Sequence, residues 1–470
     1  MKKIVRNLFY QSIYQVLLII LPIVTIPVVS RALGPEGIGI FNYTNSITNY
    51  FLLVAGFGLA NYGVREIATV RDEKKSLSRK FWELEIFNAI IAVITIAIFL
   101  LVSLFLKNTN LYFIQSLILI GALFDISWFY NGIEDFKSIT LANIVIKTLS
   151  FISIVIFVKE PNDLIIYIWI QSLNVLTSQL ILWVFLPKKI EVVKVSLKNV
   201  IMHFKPALRY LISKMAITLY TNLNKTLLGI MVGAAAVGYY SNSYALVFVI
   251  SSLLGSLDMV LLPRMSNLHV KGENDKMIEV LKTTIHIELF LTIAAMFGII
   301  SINEKIIPWF FGNEFSFIIY LVPIFAPIVV IKPLGVAILR QYLMPLNKIK
   351  EYNKSVILAA IVSIIIASFL IPFIGVFGAV IATLVAEILV TTIRVIDLIK
   401  NTSFKFNNID IFKYFTSGLV MYGVIFYATK SLEANVFTSI LQIMIGIIVY
   451  FMLTIFLKAN PIITLLKKRK

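Results

Sequence analysis

From the first turn to residue 457 the chain alternates long apolar runs with short polar interruptions, and the runs outlast any strand or soluble-core helix. A helix needs about 20 mostly apolar residues to cross a bilayer. Windows of that kind fit fourteen times, from residues 9–30 to residues 437–457. No connection between them is long enough to fold as a separate domain. The pattern predicts an all-α integral membrane protein with about 14 transmembrane helices. The chain begins MKKIVRNLFY, basic like a signal peptide, but the apolar stretch runs long, holds Gln11 and Gln15, and has no small-residue cleavage site after it. It reads as a retained first span.

Charge sets the orientation. Of the 42 Lys and Arg, 33 fall in the termini and in alternate connections on one side, while five (Arg31, Lys107, Lys159, Lys305, Lys430) fall on the other. Basic residues favour the cytoplasmic side, so both termini are expected there. The remaining four, Lys147, Lys214, Lys225 and Lys332, stand inside spans.

Composition narrows the chemistry. The chain is 59% hydrophobic and 14% charged, and a net charge of +18 is accounted for by a basic rim beside anionic lipid, so no nucleic-acid partner is needed. Without cysteine there is no disulfide, thiolate zinc site or cysteine nucleophile. His203, His269 and His286 share no metal-ligand spacing and read as loop or helix-surface residues. There is no G-x-x-x-x-G-K-[ST], H-E-x-x-H or G-x-S-x-G with triad partners, so neither an ATPase motor nor a cofactor or metal is expected.

A repeat organises the spans. LGPEGIGIFNYTNS (33–46) aligns with VGAAAVGYYSNSYA (232–245), matching Gly34 to Gly233 and Gly39 to Gly238, and NGIEDFK (131–137) echoes MPLNKIK (344–350). An even number of spans per unit makes the halves parallel repeats, with a site expected at their interface. The expected parts are a lobe at 1–190, a second six-helix lobe at 191–400, and two extra helices with a basic tail at 401–470.

RALGPEGIGIFNYTNSI after the first span, LLPRMS (261–266) closing the eighth and GVFGAVIATLVAE (375–387) opening the twelfth resemble the polysaccharide flippase family. These are the Wzx-type O-antigen and capsule repeat-unit transporters of the multidrug/oligosaccharidyl-lipid/polysaccharide exporter superfamily. The resemblance covers essentially the whole chain. It implies a two-lobed bundle in the bacterial cytoplasmic membrane that carries undecaprenyl-diphosphate-linked oligosaccharide from the inner to the outer leaflet by alternating access. A cationic central cavity is implied, as are membrane lipid around it and a polymerase or chain-length regulator as companions.

The polar groups inside spans supply candidate site residues. Lys214 and Lys225 are eleven positions apart, about three turns, so they share a helix face with Thr218 and Thr221 between them. Ammonium groups there can meet a lipid diphosphate, or snorkel toward the two membrane surfaces. Lys332, between Pro327 and Pro333, either faces the lumen or binds freed carbonyls. Arg31 either meets leaving substrate or pairs with Glu36. Asn42, Asn45 and Asn49 form one polar face of the second span, and Gln11 and Gln15 a similar one on the first, serving packing or glycan. Asp125 and Asp258 are candidates for ion coupling, or structural partners for basic groups such as Arg264. Glu387 has Arg394 seven positions on to compensate it.

Three alternatives remain open at this level. A lipid II flippase is a close relative. A multidrug or cation antiporter of the same superfamily would favour acidic over basic groups in the spans. A membrane polymerase would need a sizeable outer loop with catalytic side chains, and the longest here, NEKIIPWFFGNEFS (303–316), is short and aromatic.

Overall fold

The computed structural model describes residues 2–254 and 257–463, with side chains from residue 21 onward except at a few positions between 212 and 260. Among these residues every regular element is helical, and eleven stretches are long and apolar enough to cross a membrane. The expected spans at 9–30, 207–232 and 238–263 each include side chains outside the described set. The chain divides into two compact units, Met1–Thr226 and Leu227–Lys470.

The first unit opens with α1 (Lys2–Ala55), two helical arms joined where Gly34 leaves helical geometry at φ 62°, ψ −178°. Pro35 follows at the start of the second arm, where a proline needs no backbone donor. Then come α2 (Leu59–Val70), α3 (Lys74–Ser103), α4 (Thr109–Leu123), α5 (Ser127–Gly132), α6 (Phe136–Phe157), α7 (Leu164–Val184), the short α8 (Leu197–Met202) and α9 (Phe204–Met231), most of which belongs to this unit. Gly58, before α2, adopts φ 77°, and a Cβ there would stand 2.7 Å from the Ala207 carbonyl oxygen, so only glycine lets α9 start this close. Phe81, Trp128, Phe129 and Tyr130 are fully buried around this junction, Phe81 stacking on Trp128 at 5.6 Å. In a bilayer such packing, rather than escape from water, holds helices together.

The second unit comprises α10 (Ala234–Leu254), α11 (Leu257–Val270), α12 (Asn274–Phe311), α13 (Ile318–Phe325), α14 (Ile328–Ile338), α15 (Ile349–Ile374), α16 (Val376–Asn401), α17 (Asn408–Thr429) and α18 (Val436–Phe456). Gly378 brings α15 and α16 together, since a Cβ there would meet Leu370 backbone at 2.7 Å. The last helix is tied to α12, Tyr450 donating to the Phe290 carbonyl at 2.9 Å, and to α17, Gln442 donating to Thr429 at 2.8 Å. Large apolar side chains face outward along α15, including Ile365, Phe369 and Phe373, as hydrocarbon contact requires.

Candidate functional site

In the first unit, the second arm of α1 presents polar groups on several sides. Thr44 and Thr48 are buried and lock onto Gln115 of α4: the amide donates to Thr44 Oγ1 at 2.9 Å, and Thr48 donates to Gln115 Oε1 at 2.7 Å. Ser46 and Tyr50 reach Thr226 of α9 at 2.9 and 3.0 Å. Asn42 folds back onto the Ile38 carbonyl at 2.9 Å, whereas Asn45 and Asn49 are half-exposed with no hydrogen-bond partner among the described residues. Sequence reasoning missed the Thr44–Thr48–Gln115 lock because one lone glutamine in an apolar run gives no periodic signal.

Those hydroxyls pin α9 beside its lysines. Lys225 precedes Thr226 and is partly exposed, and Lys214 is exposed. Neither has an ion pair or hydrogen bond among the described residues. Between them, the Thr218 carbonyl accepts from Thr221 Oγ1 and Asn222 Nδ2, both at 3.2 Å. Arg31 is exposed near the end of the first arm and makes no ion pair with Glu36. Gln11 and Gln15 lie outside the described side chains.

Lys332 has a different setting in the second unit. Its ammonium donates to Glu387 at 2.9 Å and to the Tyr244 hydroxyl at 2.7 Å, and lies 5.1 Å over the Phe248 ring. Glu387 is thus compensated by Lys332, while Arg394 donates to the Gly335 carbonyl at 2.8 Å and to Ser355 at 3.2 Å.

The acids form two clusters. Asp258 is fully buried and accepts from Gln341 Nε2 at 2.6 Å, while Arg264 is exposed. Glu288 of α12, 2% exposed, lies within hydrogen-bonding reach of Asp258. Both Glu288 oxygens, Asp258 Oδ2 and Gln341 Oε1 find no donor. In the first unit Asp125 accepts from the Ser127 amide at 2.9 Å, and its neighbour Glu85 is buried with Oε2 unsatisfied. Glu85 escapes sequence reading because it stands in the first turn of an apolar run, FWELEIF, where an acid normally meets water.

Burial of one histidine corrects the surface reading, while His286 lies half-exposed on α12. His203, 5% exposed, shares a 2.7 Å hydrogen bond with the Tyr62 hydroxyl through Nδ1, with Glu83 at 3.6 Å from Nε2. Burial and then Lys80 push its imidazole below the ordinary value, against the pull of Glu83. His286 Nε2 shares a 2.8 Å hydrogen bond with Tyr414. Among the described residues no three His, Cys, Asp or Glu could hold a metal ion.

A family model described as "Polysaccharide biosynthesis protein" matches residues 4–269. A protein of Escherichia coli (strain K12) named as an O-antigen transporter is 27% identical over 400 residues, 83% of this chain and 95% of its own. One of Haloferax volcanii, named as the low-salt glycan biosynthesis flippase Agl15, is 25% identical over 254 residues, 54% of this chain and 53% of its own. Among solved structures, the inward closed lipid II flippase MurJ superposes with a TM-score of 0.74 at 17% identity, covering 97% of this chain and 99% of that one. An inward-facing multidrug resistance MATE transporter of the MOP superfamily gives 0.59 at 14% identity, with 89% and 98% covered. At these identities the structural likeness speaks for fold alone.

Proposed function

The chain belongs to the polysaccharide biosynthesis protein family, and on that premise we propose that it is a flippase moving an undecaprenyl-diphosphate-linked oligosaccharide from the inner to the outer leaflet of the cytoplasmic membrane. Its relatives are named as transporters and flippases, and it acts as a transporter rather than an enzyme. Both termini are on the cytoplasmic side, and the product feeds O-antigen, capsule or related polymer assembly, alongside a polymerase and a chain-length regulator.

The observation that carries this reading is the pair of uncompensated lysines on α9. Lys214 and Lys225 stand about 16 Å apart along the helix axis, with no counter-charge among the described residues. An ammonium in a span without a carboxylate partner is costly unless an anion visits it. A lipid diphosphate is such an anion, and a lysine, as a mobile point charge, can follow it. Asn45, Asn49, Thr218 and Thr221 offer the donors and acceptors that a sugar headgroup loses on leaving water, Gln11 and Gln15 extend that set, and Arg31 adds a third uncompensated cation. Lys332, already neutralised, acts through its partners Glu387 and Tyr244, so its part in binding is indirect. The Asp258–Glu288 pair is the favoured ion-coupling group, with Asp125 and Glu85 its counterpart in the first unit.

Reconstitution tests this. Proteoliposomes loaded with a fluorescent undecaprenyl-diphosphate oligosaccharide should show accelerated leaflet exchange. Lys214→Gln and Lys225→Gln should each lower the rate by about tenfold, the loss of one charge-assisted contact worth roughly 1.4 kcal/mol. Equal rates in wild type and the double variant would sink the diphosphate reading. Exchange of lipid II but of no longer glycan would move the chain to the lipid II flippases instead.

A further inference from the structure

A cavity of 350 Å³ opens in the second unit between the first turns of α12, the start of α17 and the segment that follows α18. Nothing in the transport reading uses it. Three separate segments bring lysines to it: Lys282 from α12, Lys405 from the loop before α17, and Lys458 just past α18. None of the three has an ion-pair partner among the described residues. Lys458 holds its place at φ 53°, a conformation that costs a non-glycine residue energy and here turns the lysine off the end of α18. Beneath them the wall is fixed, because Tyr414, fully buried, bonds both His286 Nε2 at 2.8 Å and the Ala459 carbonyl at 2.9 Å.

The lining also holds two carboxylates, Glu279 and Asp410. Asp410 is already engaged by Lys413 at 3.8 Å and by the Asn407 side chain, and Glu279 is exposed. A single small anion therefore faces three cations and one open acid.

The surroundings say where such an anion comes from. Ile409 and Phe412 on the first turns of α17 are 70% and 69% exposed, and Phe456, two residues before Lys458, is 82% exposed. Apolar side chains left bare beside a basic cavity mark the level where acyl chains meet headgroups. We propose that this cavity holds the phosphate of a resident bilayer phospholipid, with its chains lying against Phe412 and Phe456. This site is separate from the transported lipid's and does not depend on that assignment.

The test uses the full chain, purified and delipidated, and native mass spectrometry with phosphatidylglycerol, phosphatidylethanolamine or inorganic phosphate as the probe. Wild type should retain one phospholipid, and Lys282→Gln/Lys405→Gln/Lys458→Gln should weaken it by roughly tenfold or more. Lys75→Gln/Lys350→Gln/Lys400→Gln should leave it unchanged. If the first triple variant does not fold, Lys405→Gln alone, in an exposed loop, should still weaken binding severalfold. Equal phospholipid binding in wild type and variant overturns the proposal. So does displacement of the lipid by millimolar inorganic phosphate, which would make this a soluble-anion site.

Discussion

At the residue scale the lysines of the spans divide into two kinds, and the division is one of neighbours. Lys332 sits with Glu387 at 2.9 Å. Removing one member of such a buried pair leaves a lone charge, which typically costs about 3 kcal/mol or more. Lys332→Met should therefore lower thermal stability sharply, and adding Glu387→Gln should recover much of the loss. A double variant no more stable than Lys332→Met would mean the pair is not coupled. His203 makes a second test. Its folded-state value is depressed below the ordinary value near 6.5, so the unfolded chain binds more protons as pH falls through that value. Its contribution to stability is complete above about pH 6.5 and declines as pH drops below it toward the folded-state value. Melting temperature measured from pH 8 to 5 should show this decline, and His203→Gln should flatten it. None of these partners is legible in the chain, because they come from residues far apart in sequence: 55 positions for Lys332 and Glu387, 141 for Tyr62 and His203.

At the element scale the helices were largely readable and their joints were not. Apolar runs announce α3, α6, α15 and α18 directly. The second arm of α1 is different, since its use depends on which of its faces meets α4. The triplet Asn42, Asn45 and Asn49 is the visible pattern, yet the buried anchor is Thr44 and Thr48 on Gln115. Gln115→Leu should remove two buried hydrogen bonds and leave Thr44 and Thr48 only their bonds to the Ile40 and Thr44 carbonyls, a cost of about 1 kcal/mol, read as a lower unfolding midpoint in detergent. The joint between α2 and α9 gives a second measurement. Gly58→Ala puts a Cβ 2.7 Å from the Ala207 carbonyl at a left-handed position, so a loss of at least about 1 kcal/mol is expected. An unchanged midpoint would show that α9 can shift to make room.

At the scale of the whole molecule, each compact unit holds a pair of neighbouring acids, Glu85 with Asp125 and Glu288 with Asp258. If the second of these takes up and releases a proton during transport, a pH gradient across proteoliposomes should change the flipping rate of wild type severalfold, and Glu288→Gln should lose that response while keeping basal exchange. A Glu288→Gln variant that responds like wild type would leave the cluster structural. What the sequence by itself determined is an all-helical membrane protein and the resemblance to its family, because bilayer thickness writes a fixed apolar length into every span. Its span lysines, and its span acids apart from Glu85, were also visible as types. Only the tertiary structure decided which of them are neutralised, because a charge in hydrocarbon is defined by what stands within a few ångströms of it, and sequence spacing does not carry that distance. Lys332 received a carboxylate and Asp258 an amide and an acid, while Lys214 and Lys225 received neither among the described residues.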